Sequence, residues 1–65
     1  MSRYPYEREY RIRRAKALET EMISALDRRD YDAFQSAFSK ALNYMHKKEY
    51  SALYRRFLSQ IASDA

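Results

Sequence analysis

The sequence predicts an all-α protein, and three observations carry that prediction. Glycine is absent and Pro5 is the single proline among 65 residues, so the residues that build hairpins, bulges and tight strand turns are missing. Ala, Leu, Arg, Lys, Glu, Met and Tyr dominate the remainder, most of them good or neutral helix formers. Apolar residues recur at spacings of three and four, the period of one helix face. The architecture expected is a three-helix up-down-up bundle or a helical hairpin, completed by dimerisation. Size is the reason for the dimer. A chain this short buries only about 60% of the surface its unfolded form exposes, and with no cysteine and one histidine neither disulfides nor a structural metal can compensate.

Residues 1–65 read as one small domain, with helices expected at about 6–28, 31–45 and 49–62 and the order of residues 1–10 left open. The first helix opens at Pro5, which suits a first helical position because its missing N–H would be unpaired there. Its buried stripe is Ile12, Ala15, Leu18, Met22, Ala25 and Leu26, joined by Ile23. Asp30 reads as the N-cap of the second helix, and Asp32 adds negative charge where the helix dipole favours it. The second stripe is Phe34, Phe38, Ala41, Leu42 and Met45, flanked by Tyr31, Ala37 and Tyr44. His46, Lys47, Lys48 and Glu49 interrupt it, and Tyr50, Leu53, Tyr54, Phe57, Leu58 and Ile61 resume it as a third helix. No Gly or Pro stands at 46–49, so a single long rod from 31 onward is the alternative. Ser63, Asp64 and Ala65 are expected to fray.

Two segments share a pattern. Arg28-Arg29-Asp30-Tyr31-Asp32-Ala33-Phe34 and Lys47-Lys48-Glu49-Tyr50-Ser51-Ala52-Leu53 lie 19 residues apart, and they read as two copies of one device. Basic residues close one helix and an acid opens the next, each matching the dipole it meets.

No catalytic constellation is visible. Nucleophilic chemistry needs an activated side chain beside a positioned base, and His46, the only histidine, sits in a charged boundary. The pairs Glu19/Glu21 and Asp30/Asp32 are two residues apart, which on a helix points them away from each other. The acids are too scattered for a metal site, and no glycine-rich loop exists to cradle phosphate. The chain is therefore expected to be no enzyme and to use no cofactor. No apolar run reaches the roughly 18 residues a membrane span needs, and the first residues are tyrosine and arginine instead of a secretory apolar core. A cytoplasmic protein is expected.

Two features point to binding. Residues 1–16 hold six Lys/Arg against Glu7 and Glu9, which accounts for the whole formal charge of +4, since residues 17–65 hold seven of each sign. On a helix, Arg8, Arg11 and Arg14 share one side, Arg13 and Lys16 widen it, and Tyr4, Tyr6 and Tyr10 interleave. Guanidinium forks suit carboxylate and phosphate, and tyrosine faces receive guanidinium or stack on bases. The other feature is seven Tyr and three Phe in 65 residues. Phe34, Phe38, Phe57 and Leu58 read as core. Three short helices cannot enclose Tyr31, Tyr44, Tyr50 and Tyr54 as well, and half-exposed tyrosines beside Met45 make an interface surface.

Residues 22–42 resemble the IDEAL domain of Firmicutes proteins. Ile23, Ala25, Leu26, Asp27, Arg29, Asp30 and Phe34 follow its order, with Ser24 where that family has an Asp-Glu pair. The resemblance implies a small helical module without an assigned activity. Asp30-Tyr31-Asp32 with Ala37 and Ala41-Leu42 is also similar to the opening of a tetratricopeptide second helix, though the 34-residue repeat and its glycine are missing.

The function expected is a small regulatory adaptor for a protein partner. Tyr31, Tyr44, Tyr50 and Tyr54 would supply contact area and self-association, while Arg8, Tyr10, Arg11 and Arg14 would steer toward an acidic surface. The alternative is a nucleic-acid binder that places the same arginines on phosphates.

Overall fold

The computed structural model describes the backbone of residues 5–64 and the side chains of residues 8–64. It is all-α, with α1 at Pro5–Arg28, α2 at Tyr31–Ala41 and α3 at Lys47–Asp64; there is no strand among the described residues. Residues 5–10, whose order the sequence leaves open, belong to α1, whereas Arg3 and Tyr4 lie outside the described residues. The molecule is elongated, with extents of 49 × 19 × 13 Å. Helix length explains this, because the 24 residues of α1 rise about 36 Å at 1.5 Å each and α2 has only 11 residues.

The α1–α2 turn is built without glycine. Arg29 takes a left-handed φ of 58°. The Asp30 N–H donates to the Ala25 carbonyl at 2.8 Å and the Arg29 N–H to the Leu26 carbonyl at 3.1 Å, which is the Schellman termination. Asp30 then caps α2 as the sequence predicts, its Oδ1 accepting from the Ala33 N–H at 3.2 Å. One residue thus ends a helix and the next starts another.

The second connection differs from expectation. Helix α2 stops at Ala41 instead of Met45, and residues 42–46 form a turn in which the Asn43 N–H reaches the Lys40 carbonyl and the Tyr44 and Met45 N–H groups both reach Ala41. A continuous rod would carry Phe57 away from Phe34, yet these rings stack at 4.5 Å. Burial of the two rings outweighs the lack of a breaker residue. Helix α3 opens at Lys47 instead of 49: the Glu49 and Tyr50 N–H groups donate to the His46 carbonyl, and Glu49 Oε1 accepts from the His46 N–H at 3.3 Å. This is half of a capping box. The apparent repeat therefore conceals two devices, since Asp30 caps from the N-cap position and Glu49 from three residues inside.

The core comprises Leu18, Met22, Ala25 and Leu26 from α1, Phe34, Ala37 and Ala41 from α2, Met45 from the turn and Phe57 from α3. Arg56 Nη2 donates to Asp27 at 2.6 Å, and Gln60 Nε2 donates to the Leu26 carbonyl at 2.9 Å. These contacts bring the second half of α3 beside the α1–α2 turn. The last turn of α3 does not fray as expected, because Asp64 pairs with Arg29 at 3.2 Å and accepts from the Tyr31 hydroxyl. Ala65 lies outside the described residues.

Several residues assigned to buried stripes are exposed. Ile12 is 52% accessible, Leu42 50%, Leu58 49%, Tyr54 38% and Ile61 37%. Ile12 lies on the part of α1 that extends past the end of α2. Leu42 sits in the turn where α2 has ended, and Tyr54, Leu58 and Ile61 have a third cause: the apolar arc of α3 from Leu53 to Ile61 is wider than one helix contact can cover.

Candidate functional site

The residues singled out in the sequence fall into three places. The first is the N-terminal half of α1 against the 42–46 turn. Arg11 and Arg14, one turn apart on α1, both lie over the ring of Tyr44, at 5.3 and 5.7 Å from its centroid. Tyr10 meets the same ring edge-on at 6.4 Å, and Arg11 Nη2 donates to the Asn43 carbonyl at 2.7 Å. Arg14 Nε is shielded and has no hydrogen-bond partner among the described residues. Each guanidinium over an aromatic face contributes about 0.5–1 kcal/mol where exposed and more where desolvated.

Beside this cluster opens a cleft of about 490 Å³, lined by Arg8, Arg11, Lys16 and His46 with Ile12, Ala15, Tyr44 and Met45 as its apolar part. Glu19 and Glu49 also line it. Three cations against two carboxylates leave a net +1, enough to receive one acidic side chain and little for a polyanion.

The second place is the α2–α3 seam. Phe38 meets Tyr50 at 5.6 Å and Tyr54 at 4.9 Å, and Tyr54 meets Phe57 at 5.4 Å. Tyr50 is half-buried here, while Tyr54 keeps an exposed side. The third place is Tyr31, which is half-buried and packs edge-on against Phe57 at 5.7 Å. Its hydroxyl donates to Asp64. That hydrogen bond is the main reason its pKa is raised above the usual 10.0, and burial adds to it. The carboxylate accepts the hydrogen bond of the neutral phenol and would repel the phenolate.

Arg8, Tyr10, Arg11, Arg14 and Tyr44 are thus brought together, Tyr50 and Tyr54 form a separate group, and Tyr31 stands with Asp64. Three of the four tyrosines assigned to contact area are partly covered by the molecule's own side chains. Tyr54, assigned to contact area, does keep an exposed side, but sequence reasoning missed the residues that extend it: Leu42, Leu58 and Ile61, all placed on the apolar stripes. The width of the α3 stripe was the available signal. It also missed Lys47, Lys48 and Arg55, which line a shallow depression with Ser51 and Ala52 between them. The seven-residue step from Lys48 to Arg55 was visible but hidden by the neutral charge balance of residues 17–65.

Among the described residues no three His, Cys, Asp or Glu side chains converge as metal ligands, and no helix is long and apolar enough to cross a membrane. Comparison with protein-family models, curated proteins and solved structures finds no match.

Proposed function

We propose that this is a small non-enzymatic adaptor of the cytoplasm that binds a protein partner through the open face of α2 and α3. One observation carries the reading: Leu42, Tyr54, Leu58 and Ile61 keep 50, 38, 49 and 37% of their surface exposed on adjacent helices. Tyr54, Leu58 and Ile61 follow one another at four- and three-residue steps and so form a continuous strip. Leu42 extends it across Phe38, which touches Tyr54. A strip of this kind with an aromatic anchor suits a partner helix.

On this reading the helices form an up-down-up bundle whose third side is left for the partner or for a second copy. The basic half of α1 steers the encounter with an acidic surface. Nucleic acid has less support, since Arg11 and Arg14 are engaged with Tyr44 and Asn43 and the adjacent cleft carries a net +1.

Capture of the tagged protein from its native lysate after nuclease treatment tests the proposal. A stoichiometric protein partner that is retained by Arg8→Ala/Arg11→Ala and lost from Leu58→Asp is the expected result. Recovery of nucleic acid without such a protein, lost on the arginine substitutions with a flattened salt dependence, overturns it.

A further inference from the structure

We infer that the occupant of the α2–α3 face is an acidic amphipathic helix, and that the charges selecting it come from α3 and not from the basic first helix. The inference rests on the adaptor reading and specifies the chemistry of its partner.

The argument is one of charge placement. Lys47, Lys48 and Arg55, all exposed and lining one depression, stand at the N-terminal end of the Tyr54–Leu58–Ile61 strip, Lys47 about two turns before Tyr54 on its line and Lys48 and Arg55 on its outer flank. Lys48 and Arg55 are seven residues apart, about 10 Å along the axis at 1.5 Å per residue. The carboxylates of α3 are turned elsewhere: Glu49 accepts from the His46 N–H, and Asp64 is held by Arg29 and Tyr31. The border is therefore cationic along its N-terminal half and carries no carboxylate. A partner helix with a Leu-type seam for Leu42, Tyr54 and Leu58, and carboxylates one heptad apart on one flank, would match both features.

A second copy fits less well. Asp32, in the first turn of α2, is an exposed acid at the end of α2 away from Lys47, about a third of a turn around the helix from Phe38. An antiparallel pair could set Asp32 against one cation per copy. The other two would be left without an opposite charge, and like charges facing each other across an interface oppose association.

The test uses the full chain and two synthetic three-heptad helical peptides with leucine at the a and d positions, one flanked by glutamate and the other by lysine. Binding is followed by fluorescence anisotropy, and the chain alone is sedimented to equilibrium. The glutamate peptide should bind at least about tenfold more tightly than the lysine peptide, a gap that narrows with salt. Lys47→Glu/Arg55→Glu should reverse the order, Arg8→Glu/Arg11→Glu should narrow the gap through weaker steering without reversing it, and Leu58→Asp should abolish binding of both; all these positions are exposed, and circular dichroism checks that each variant stays helical. Equal, Leu58-dependent binding of the two peptides overturns the acidic partner while leaving a protein-docking face intact. If neither peptide binds and the chain sediments as a dimer that Leu58→Asp dissociates, the occupant is a second copy and the inference fails. A monomer that binds neither peptide overturns the inference and the docking reading together.

Discussion

Arg29 takes on the backbone cost that glycine would remove. A non-glycine residue at φ 58° sacrifices about 1 kcal/mol, and its compensation is a pair with Asp64 whose side chains are 59 and 32% exposed, a class of interaction that contributes at most about 1 kcal/mol. Arg29→Gly should therefore be close to neutral in low salt and stabilising by about 0.5 kcal/mol in high salt, where the lost pair is screened. Urea midpoints at the two salt concentrations check this, and a loss above about 1 kcal/mol in high salt would contradict it. Tyr31 supplies a second residue-scale prediction. Its pKa is raised in the fold, so the stabilisation it gives is present while the phenol is protonated and is lost as pH climbs through the raised value. In a spectrophotometric titration Tyr31 should ionise above the usual 10.0. Asp64→Asn should bring it back toward that value and remove its share of the alkaline loss of stability, whereas an unchanged titration would deny the contact. None of this was legible beforehand, because Asp64 and Tyr31 are 33 positions apart and the end of the chain read as frayed.

The helices themselves were legible wherever the signal was local. Three apolar stripes, the Asp30 cap and the proline at the start of α1 all lie within a turn or two of what they control. The end of α2 was not, because it is imposed by the stacking of Phe34 on Phe57 across 23 positions. The residues behind the resemblance to the IDEAL domain, Ile23 to Phe34, span this hairpin and include Ala25, Leu26 and Phe34 of its core. The same distinction applies to the basic segment. Its side of α1 could be read from three-residue spacing, but the ring that receives it, Tyr44, comes from a different element. Past the end of α2, Tyr44 is the main attachment for residues 8–14. Tyr44→Ala should leave the amides of 22–26 and 34–37 slow to exchange and make those of 8–14 exchange faster, by about tenfold if the two cation–π contacts together contribute near 1.4 kcal/mol. Uniform acceleration along all three helices would instead place Tyr44 in the global core.

At the scale of the whole molecule, size dominates. At roughly 0.05–0.15 kcal/mol per residue, a 65-residue chain has about 3–10 kcal/mol of stability. Among the described residues the core that supplies it is nine residues, and Phe34 is the largest of their fully buried side chains. Its ring stacks on Phe57 at 4.5 Å and lies 5.9 Å from Phe38, so it joins α2 to α3 while Leu26 and Met22 fill the α1 side of the core. Phe34→Ala should cost about 3–5 kcal/mol, which removes most or all of that stability. The variant should lose its cooperative thermal transition and much of its helical circular dichroism, because isolated helices of 11 and 18 residues are marginal in water. Phe34→Leu, which keeps the site apolar and leaves a smaller gap, should remain folded with a lowered Tm. If Phe34→Ala instead keeps a cooperative transition near that of the parent chain, the nine-residue core is not the main source of stability. The stability would then have to come from association, with a Tm that rises with protein concentration. A partner on the α2–α3 face acts in the same direction: saturating it at one hundred times its dissociation constant adds about 2.7 kcal/mol, a large fraction of the whole for so small a core.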